Sequence, residues 1–302
     1  MTGIQVSETK PAKPPLLWVQ TLIFSLTFAV AIIAVPWYGF TYGFEWSAWV
    51  AFIVWYFATG MAITAGYHRL WSHNSYKAHP ILRAALALLG AAAIQNSIMI
   101  WASGHRDHHR HVDDNHQDPY SVRNGLWFSH MGWMLRDYPS GEVDMKNIPD
   151  IARDPIAKFQ HDYYVPLVLL MNFVPPLIVG YFTGDYLANF LLMGVLRLVV
   201  THHCTFFINS LAHYWGSQPY SDNCSARDNG ILALFTYGEG YHNYHHRFQT
   251  DYRNGIRWWH WDPTKWLIFT SSLAGLASDL RRIPQETINR AREEMAQKLQ
   301  TT

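Results

Sequence analysis

Seventeen of the 302 residues are histidine, and more than half of them fall in clusters. His68 and His73 stand in HRLWSH, His105, His108 and His109 in HRDHH, and His242, His245 and His246 in HNYHH. A looser group, Asn209 and His213, lies in NSLAH. Residues spaced i, i+3 and i+4 share one face of a helix, so each HxxHH box projects its rings together. Asn209 and His213 are i, i+4. His68 and His73 are five apart, roughly 140° on an ideal α-helix, so they enclose a metal from two sides or sit where the helix ends. These nine histidines exceed the four to six ligands that one ion takes, so they suit two metals. Imidazole serves Fe, Zn, Cu and Ni alike, and the ligand type does not choose among them. The other eight histidines, His79, His111, His116, His130, His161, His202, His203 and His260, read as ordinary hydrogen-bonded side chains.

The elements that must carry these boxes are apolar. Only 15 % of the residues are charged and 49 % are hydrophobic. Leu16 to Val35 carries no charge, nor do Trp46–Gly66 and Tyr163–Gly184, and Tyr186–Phe207 carries only Arg197. Each run is long enough to cross a hydrocarbon core of about 30 Å as a helix. The expected spans are about 16–39, 46–66, 163–184 and 186–207. The connection 36–45 and the turn at Asp185 hold no Lys or Arg, whereas the two long polar segments hold most of them. The positive-inside rule then places both termini and both polar segments in the cytoplasm. The reading is an all-α membrane protein: two helical hairpins, four transmembrane helices in all, under a helical cytoplasmic cap (67–162 and 208–282) that holds the histidines. Ala84–Trp101 is a competing fifth span. Its Gln95, Asn96 and Ser97 favour a helix dipping into the interface. Trp266–Leu280 reads as a buried or interfacial helix of the cap. Residues 1–15 read as a mobile tail, 16–282 as a single domain and 283–302 as an exposed, charged terminal helix.

Composition excludes several classes. A net charge of +1 gives no electrostatic case for nucleic acid. Two cysteines exclude a disulfide scaffold, a four-cysteine zinc site and a cysteine-ligated iron–sulfur cluster. A metal pair at the mouth of membrane spans, without a nucleophile or triad, points to a lipid-like substrate and activation of O2 by iron. Ligating histidines pass their outer N–H to a carboxylate or carbonyl. Glu239, in GEG before the third box, is the best candidate for that role, ahead of Asp113, Asp114 and Asp118 after the second.

TAGYHRLWSH (64–73), Gln95, Asn96 and Trp101 ahead of HRDHH, FSHMGW (128–133), INSLAH (208–213) and GEGYHNYHH (238–246) together resemble the membrane-bound fatty acid desaturases, in their acyl-CoA delta-9 branch. The resemblance runs from about Trp46 to Arg282. It implies a di-iron centre held by the nine histidines, with Asn209 acting through a water. One iron would draw on His68, His73, His109 and His246, the other on His105, His108, His213, His242 or His245. It implies O2-dependent removal of two hydrogens from C9 and C10 of a saturated acyl chain. It also implies a tunnel whose closed end is set on span two by Tyr56, with Gly60 one turn nearer the metals, and a substrate surface including Gln95, Asn96 and Trp101. The animal enzymes carry an Arg-Asp pair before the second box where this chain has Ser103 and Gly104, which leaves Arg136 as the basic contact for a headgroup. Acyl-CoA is the expected substrate, with phospholipid or acyl carrier protein esters as alternatives. With no CxxCH haem site and no Rossmann fingerprint, electrons would come from a separate ferredoxin, rubredoxin-like protein, b-type cytochrome or flavin reductase. Rival readings are a histidine-box membrane hydroxylase and, outside enzymes, a metal transporter or sensor.

Overall fold

The computed structural model describes residues 13–301, so the expected N-terminal tail lies almost wholly outside the described residues. Among the described residues, four helices are long and apolar enough to cross a membrane: Trp18–Thr41, Trp46–Ser72, Tyr164–Thr183 and Tyr186–His213. Their outer faces expose Leu26, Ile33, Val54, Leu170 and Ile178, the side chains a hydrocarbon solvent accepts. The two hairpins meet through Val35 and Tyr38 of the first span, Ala48 of the second, and Ala188, Leu191 and Leu192 of the fourth. The turn between spans three and four is tight. Gly184 takes φ 77°, a left-handed conformation that suits a residue without Cβ. Asp185 then caps the fourth span, accepting from the Ala188 N–H at 2.9 Å and from the Tyr38 hydroxyl at 2.6 Å.

Spans two and four run past their apolar stretches, to Ser72 and His213 rather than ending at 66 and 207. Each also contains a π-wound segment, Ala62–Ser72 and Phe190–Leu196. The end of span two is wrapped by the main core, in which Ala62, Ile63, Ala65 and Tyr67 pack with Leu86, Ile98, Ala102, Ile148, Tyr252 and Ile268. Polar residues can continue these helices because protein, not lipid, surrounds them there.

Ala84–Trp101 does not form one helix. Helix Pro80–Ala91 stops, the chain turns through Ile94 and Asn96 at positive φ, and helix Ile98–His111 starts with Ser97 as its cap. Twelve helical residues reach about 18 Å, short of the core thickness. Span four holds the break in place. The buried Arg197 guanidinium donates to the Ala92 carbonyl at 2.8 Å and to Asn172 Oδ1 at 2.6 Å. His202 Nε2 lies 2.8 Å from the Ala93 carbonyl, and Gln95 donates to Thr205 at 3.0 Å. These bonds satisfy a backbone that would otherwise be unpaired at depth.

The polar segments fold over the ends of spans two and four. Lys77–Ala78 pairs antiparallel with Ala277–Ser278, in the register Lys77 with Ser278. Helix Pro263–Leu273 begins at Asp262, whose Oδ1 accepts from the Lys265 N–H, and is tied to span two by the Thr64–Thr264 hydroxyl contact at 2.6 Å. The last helix, Gln285–Thr301, is not free of the domain. Its charged face is exposed, but Ile288 and Ala291 are buried against Tyr220, Tyr244 and Phe248.

Candidate metal centre

The nine histidines converge in two groups. His68, His73, His105, His109 and His245 form one, and His108, His213, His242 and His246 the other; within each, the facing nitrogens lie within 4.8 Å of one another. The set is the one expected, but its division is not. His105 and His245 join the first group, and His246 joins the second. Helix geometry is the reason. Residues i and i+4 are about 40° apart and i and i+3 about 60° apart the other way. On Ile98–His111, His105 and His109 therefore face one group and His108 the other. On His242–Arg247, His242 and His246 share a group and His245 leans to its neighbour.

The first box shows what an ideal α-helix could not. Because Ala62–Ser72 is π-wound, hydrogen bonds run from i to i+5, and the His73 N–H donates to the His68 carbonyl at 3.1 Å. A spacing of five is then one turn, and the two rings stand 4.9 Å apart on the same side instead of 140° round the axis.

The ring nitrogens are arranged for cations. His68 and His245 approach Nε2 to Nε2 at 3.0 Å, His245 and His109 at 2.9 Å, and His73 and His105 at 2.8 Å. In the second group His242 contacts His213 at 3.0 Å and His246 at 3.1 Å in the same way. A neutral imidazole carries one N–H. The outer nitrogens of His68 and His108 face carboxylates, Glu239 at 2.9 Å and Asp118 at 2.8 Å, which fixes the proton there. Their inner nitrogens are then bare lone pairs. His108 Nε2 is buried without any partner among the described residues. Converging lone pairs repel unless a cation lies between them, so the donor set fits metal. Burial, reinforced by the neighbouring imidazoles, pushes His105, His109, His245 and His246 well below the usual histidine range. Burial and the nearby His108 bring His242 down to about 3. The rings are therefore neutral and ready to ligate at physiological pH.

Glu239 lies against the outer nitrogen of His68, the position that the sequence pattern suggests for it. It is fully buried, and besides His68 it accepts from Arg69 Nη2 at 2.8 Å and Asn254 Nδ2 at 2.6 Å. Burial acts to raise its carboxyl, but the interactions with His68 and Arg69 outweigh burial and hold it at about 2. Arg69 is in turn held by Asp262 at 3.1 Å and the Tyr252 carbonyl at 2.8 Å. Asp118 is the matching partner on the other group. Its offset of ten residues from His108, along an irregular loop, gave no periodic signal. Asp114 merely caps a surface turn, accepting from the backbone of His116 and Gln117.

Trp101 stacks on His105, with ring centroids 4.8 Å apart. Gln95 leaves its amide oxygen buried without a partner among the described residues, beside the interrupted helix, and Asn96 takes φ 69° there. Asn209 is the last residue of the helix Arg197–Asn209, one turn before His213. Arg136 Nη1 donates to the Pro14 carbonyl at 2.6 Å, so this guanidinium holds the chain leading into span one. The Tyr56 hydroxyl donates to the Phe235 carbonyl at 2.7 Å. Gly60 does not face open space. A Cβ there would overlap the ring of Tyr237, a buried residue at φ 55° whose hydroxyl donates to the Tyr56 carbonyl at 3.1 Å. Tyr237 escaped the sequence reading because its contact with Gly60 spans most of the chain.

None of the eight histidines set aside enters either group. His79 caps Pro80–Ala91, His161 contacts Ser97 at 2.7 Å, and His130 bridges His203 and Ser210. His260 stacks on Tyr241.

Comparison with known proteins gives a context for this geometry. The fatty acid desaturase family model matches residues 44–271, a stretch that includes all nine histidines. Acyl-CoA desaturase 1 of Saccharomyces cerevisiae is 49 % identical over 249 residues, covering 82 % of this chain and 49 % of the relative. A probable acyl-CoA desaturase of Schizosaccharomyces pombe is 44 % identical over 91 % of this chain and 57 % of its own length. The human stearoyl-CoA desaturase is 38 % identical over 80 % and 68 %. This chain thus spans only about half the length of the two yeast relatives. The matched stretch, the paired histidine groups and the four apolar helices agree, and the chain belongs to the fatty acid desaturase family.

Proposed function

We propose that this protein is an integral membrane oxidoreductase that introduces a cis double bond at C9–C10 of a saturated acyl-CoA, using O2, two iron ions and electrons from a redox donor. Both termini and the active site face the cytoplasm in this reading. The observation that carries it is the pair of histidine groups set at the ends of two membrane spans, in a chain whose relatives are named acyl-CoA and stearoyl-CoA desaturases.

Iron bound by the two groups would supply activation of dioxygen strong enough to break an unactivated methylene C–H bond. The chain's own residues do the rest. Glu239 and Asp118 keep the outer protons of His68 and His108 in place, so the inner nitrogens stay free to bind. Trp101, stacked on His105, covers one ring of the first group. Orientation of one methylene pair beside the histidines would contribute to the rate as well as to regiospecificity.

The test incubates purified, iron-loaded protein with a reductase system and stearoyl-CoA, a stearoyl phospholipid or stearoyl acyl carrier protein. The expected product is a C9 alkene, formed fastest from the CoA ester. An alcohol product, or metal uptake into vesicles without acyl turnover, refutes the proposal. Alanine at any of the nine histidines should abolish the product; alanine at His79, His161 or His260 should leave it.

A further inference from the structure

The outer side of the four-histidine group carries a hydrogen-bonded chain that ligand spacing did not reveal. It starts at His108, whose Nδ1 lies 2.8 Å from Asp118 Oδ1. Asp118 Oδ2 accepts from the Asp113 backbone N–H at 3.0 Å. Asp113, held at φ 68°, turns its carboxylate toward the loop after span four. There it accepts from the Ser225 hydroxyl at 2.5 Å and from the Ser225 backbone N–H at 2.6 Å. The Ser225 oxygen then lies 2.8 Å from His213 Nδ1. The chain leaves one ligand of the group and returns to another.

We propose that Ser225 and Asp113 are positioning residues that set His213 as a ligand of the four-histidine group. The proton order follows from the inventory of donors. A serine hydroxyl has one hydrogen, and Asp113, an acceptor only, takes it. The oxygen must then accept from His213, which places the imidazole proton on Nδ1 and leaves Nε2 bare toward His242. The five-histidine group uses a direct carboxylate, Glu239, for the same purpose on His68. His213 reaches its carboxylate through a hydroxyl, so a neutral side chain on a loop governs one site only. Asp113 is well suited to the bend, because aspartate tolerates the left-handed region better than most residues.

This inference rests on the two-metal reading, and the experiment separates the two. Full-length protein in detergent is titrated anaerobically with ferrous iron, and bound iron is followed by elemental analysis and Mössbauer spectroscopy. The wild type should bind two ions in distinct environments; binding none sinks the two-metal reading itself. Ser225→Ala should keep one ion at wild-type affinity and lose affinity for the other by roughly 10–100-fold, the usual effect of losing such an outer partner. Ser225→Thr, which keeps the hydroxyl, should restore both. The metal-free Ser225→Ala protein should melt somewhat below the metal-free wild type, because Asp113 and His213 each lose a partner, so the decisive readout is the difference in affinity between the two ions. Two ions at wild-type affinity in Ser225→Ala overturn the proposal. So does failure of Ser225→Thr to restore binding. If Ser225→Ala does not fold, the threonine variant and Asp113→Asn carry the comparison, and unchanged iron binding in Asp113→Asn rejects the relay.

Discussion

Replacing Glu239 with Gln changes one buried atom, and the surroundings dictate its effect. Three donors point at this carboxylate. His68 and Asn254 share Oε2, and Arg69 uses Oε1. The glutamine NH2 is itself a donor. Placed at Oε2 it opposes two donors; placed at Oε1 it opposes only Arg69, which still has Asp262 and the Tyr252 carbonyl. The second orientation wins and preserves an acceptor for His68, but the negative charge is gone. Breaking a buried ion pair usually costs about 3–5 kcal/mol. The surviving Arg69–Asp262 pair puts the expected loss at the low end, about 3 kcal/mol. For metal, loss of an outer partner costs roughly 10–100-fold in affinity, or about 1.4–2.7 kcal/mol. The retained hydrogen bond places Glu239→Gln near the tenfold end, with Glu239→Ala near a hundredfold. The loss should fall on the five-histidine group alone, which a ferrous-iron titration read by Mössbauer spectroscopy resolves. Wild-type affinity at both groups in Glu239→Ala would refute the reasoning.

Gly60→Ala should lower stability by about 1–3 kcal/mol, as overpacking does, because the new methyl meets the Tyr237 ring. In a double-mutant cycle read by thermal melts, Gly60→Ala should cost less in the Tyr237→Ala background, and strictly additive losses reject the contact. Single cysteines at Lys77 and Arg110 should react with an impermeant label from the same side of sealed vesicles, because the chain between them turns back instead of crossing; opposite-side labelling would undo the four-span topology. The metal-free protein should lose stability below about pH 6.5, the unfolded histidine value. The folded state refuses protons at His105, His109, His242, His245 and His246 that the unfolded chain accepts, so stability rises with pH through that window. A melting temperature equal or higher at pH 5.5 than at pH 7.5 contradicts this.

Much of the protein was legible as sequence because its signals are local. Charge-free runs near twenty residues report spans directly, since a bilayer has a fixed thickness. Histidines at i, i+3 and i+4 report a shared helix face whatever the fold around them, and Glu239 could be picked out as an acid close to a box. Tertiary structure decided what depends on winding and on distant chain. The π-turns of span two put His68 and His73 on one side, and α-helical periodicity cannot express that. The packing of four helix ends assigned His105 and His245 to one group and His246 to the other. Arg197 reaches across to the Ala92 carbonyl and stops Ala84–Trp101 from being a span. Asp113 and Ser225 meet across more than a hundred residues, and Tyr237 covers Gly60 across a longer interval still. A spacing rule sees only neighbours on one element; the orientation of a ligand is set by whatever the folded chain brings up behind it.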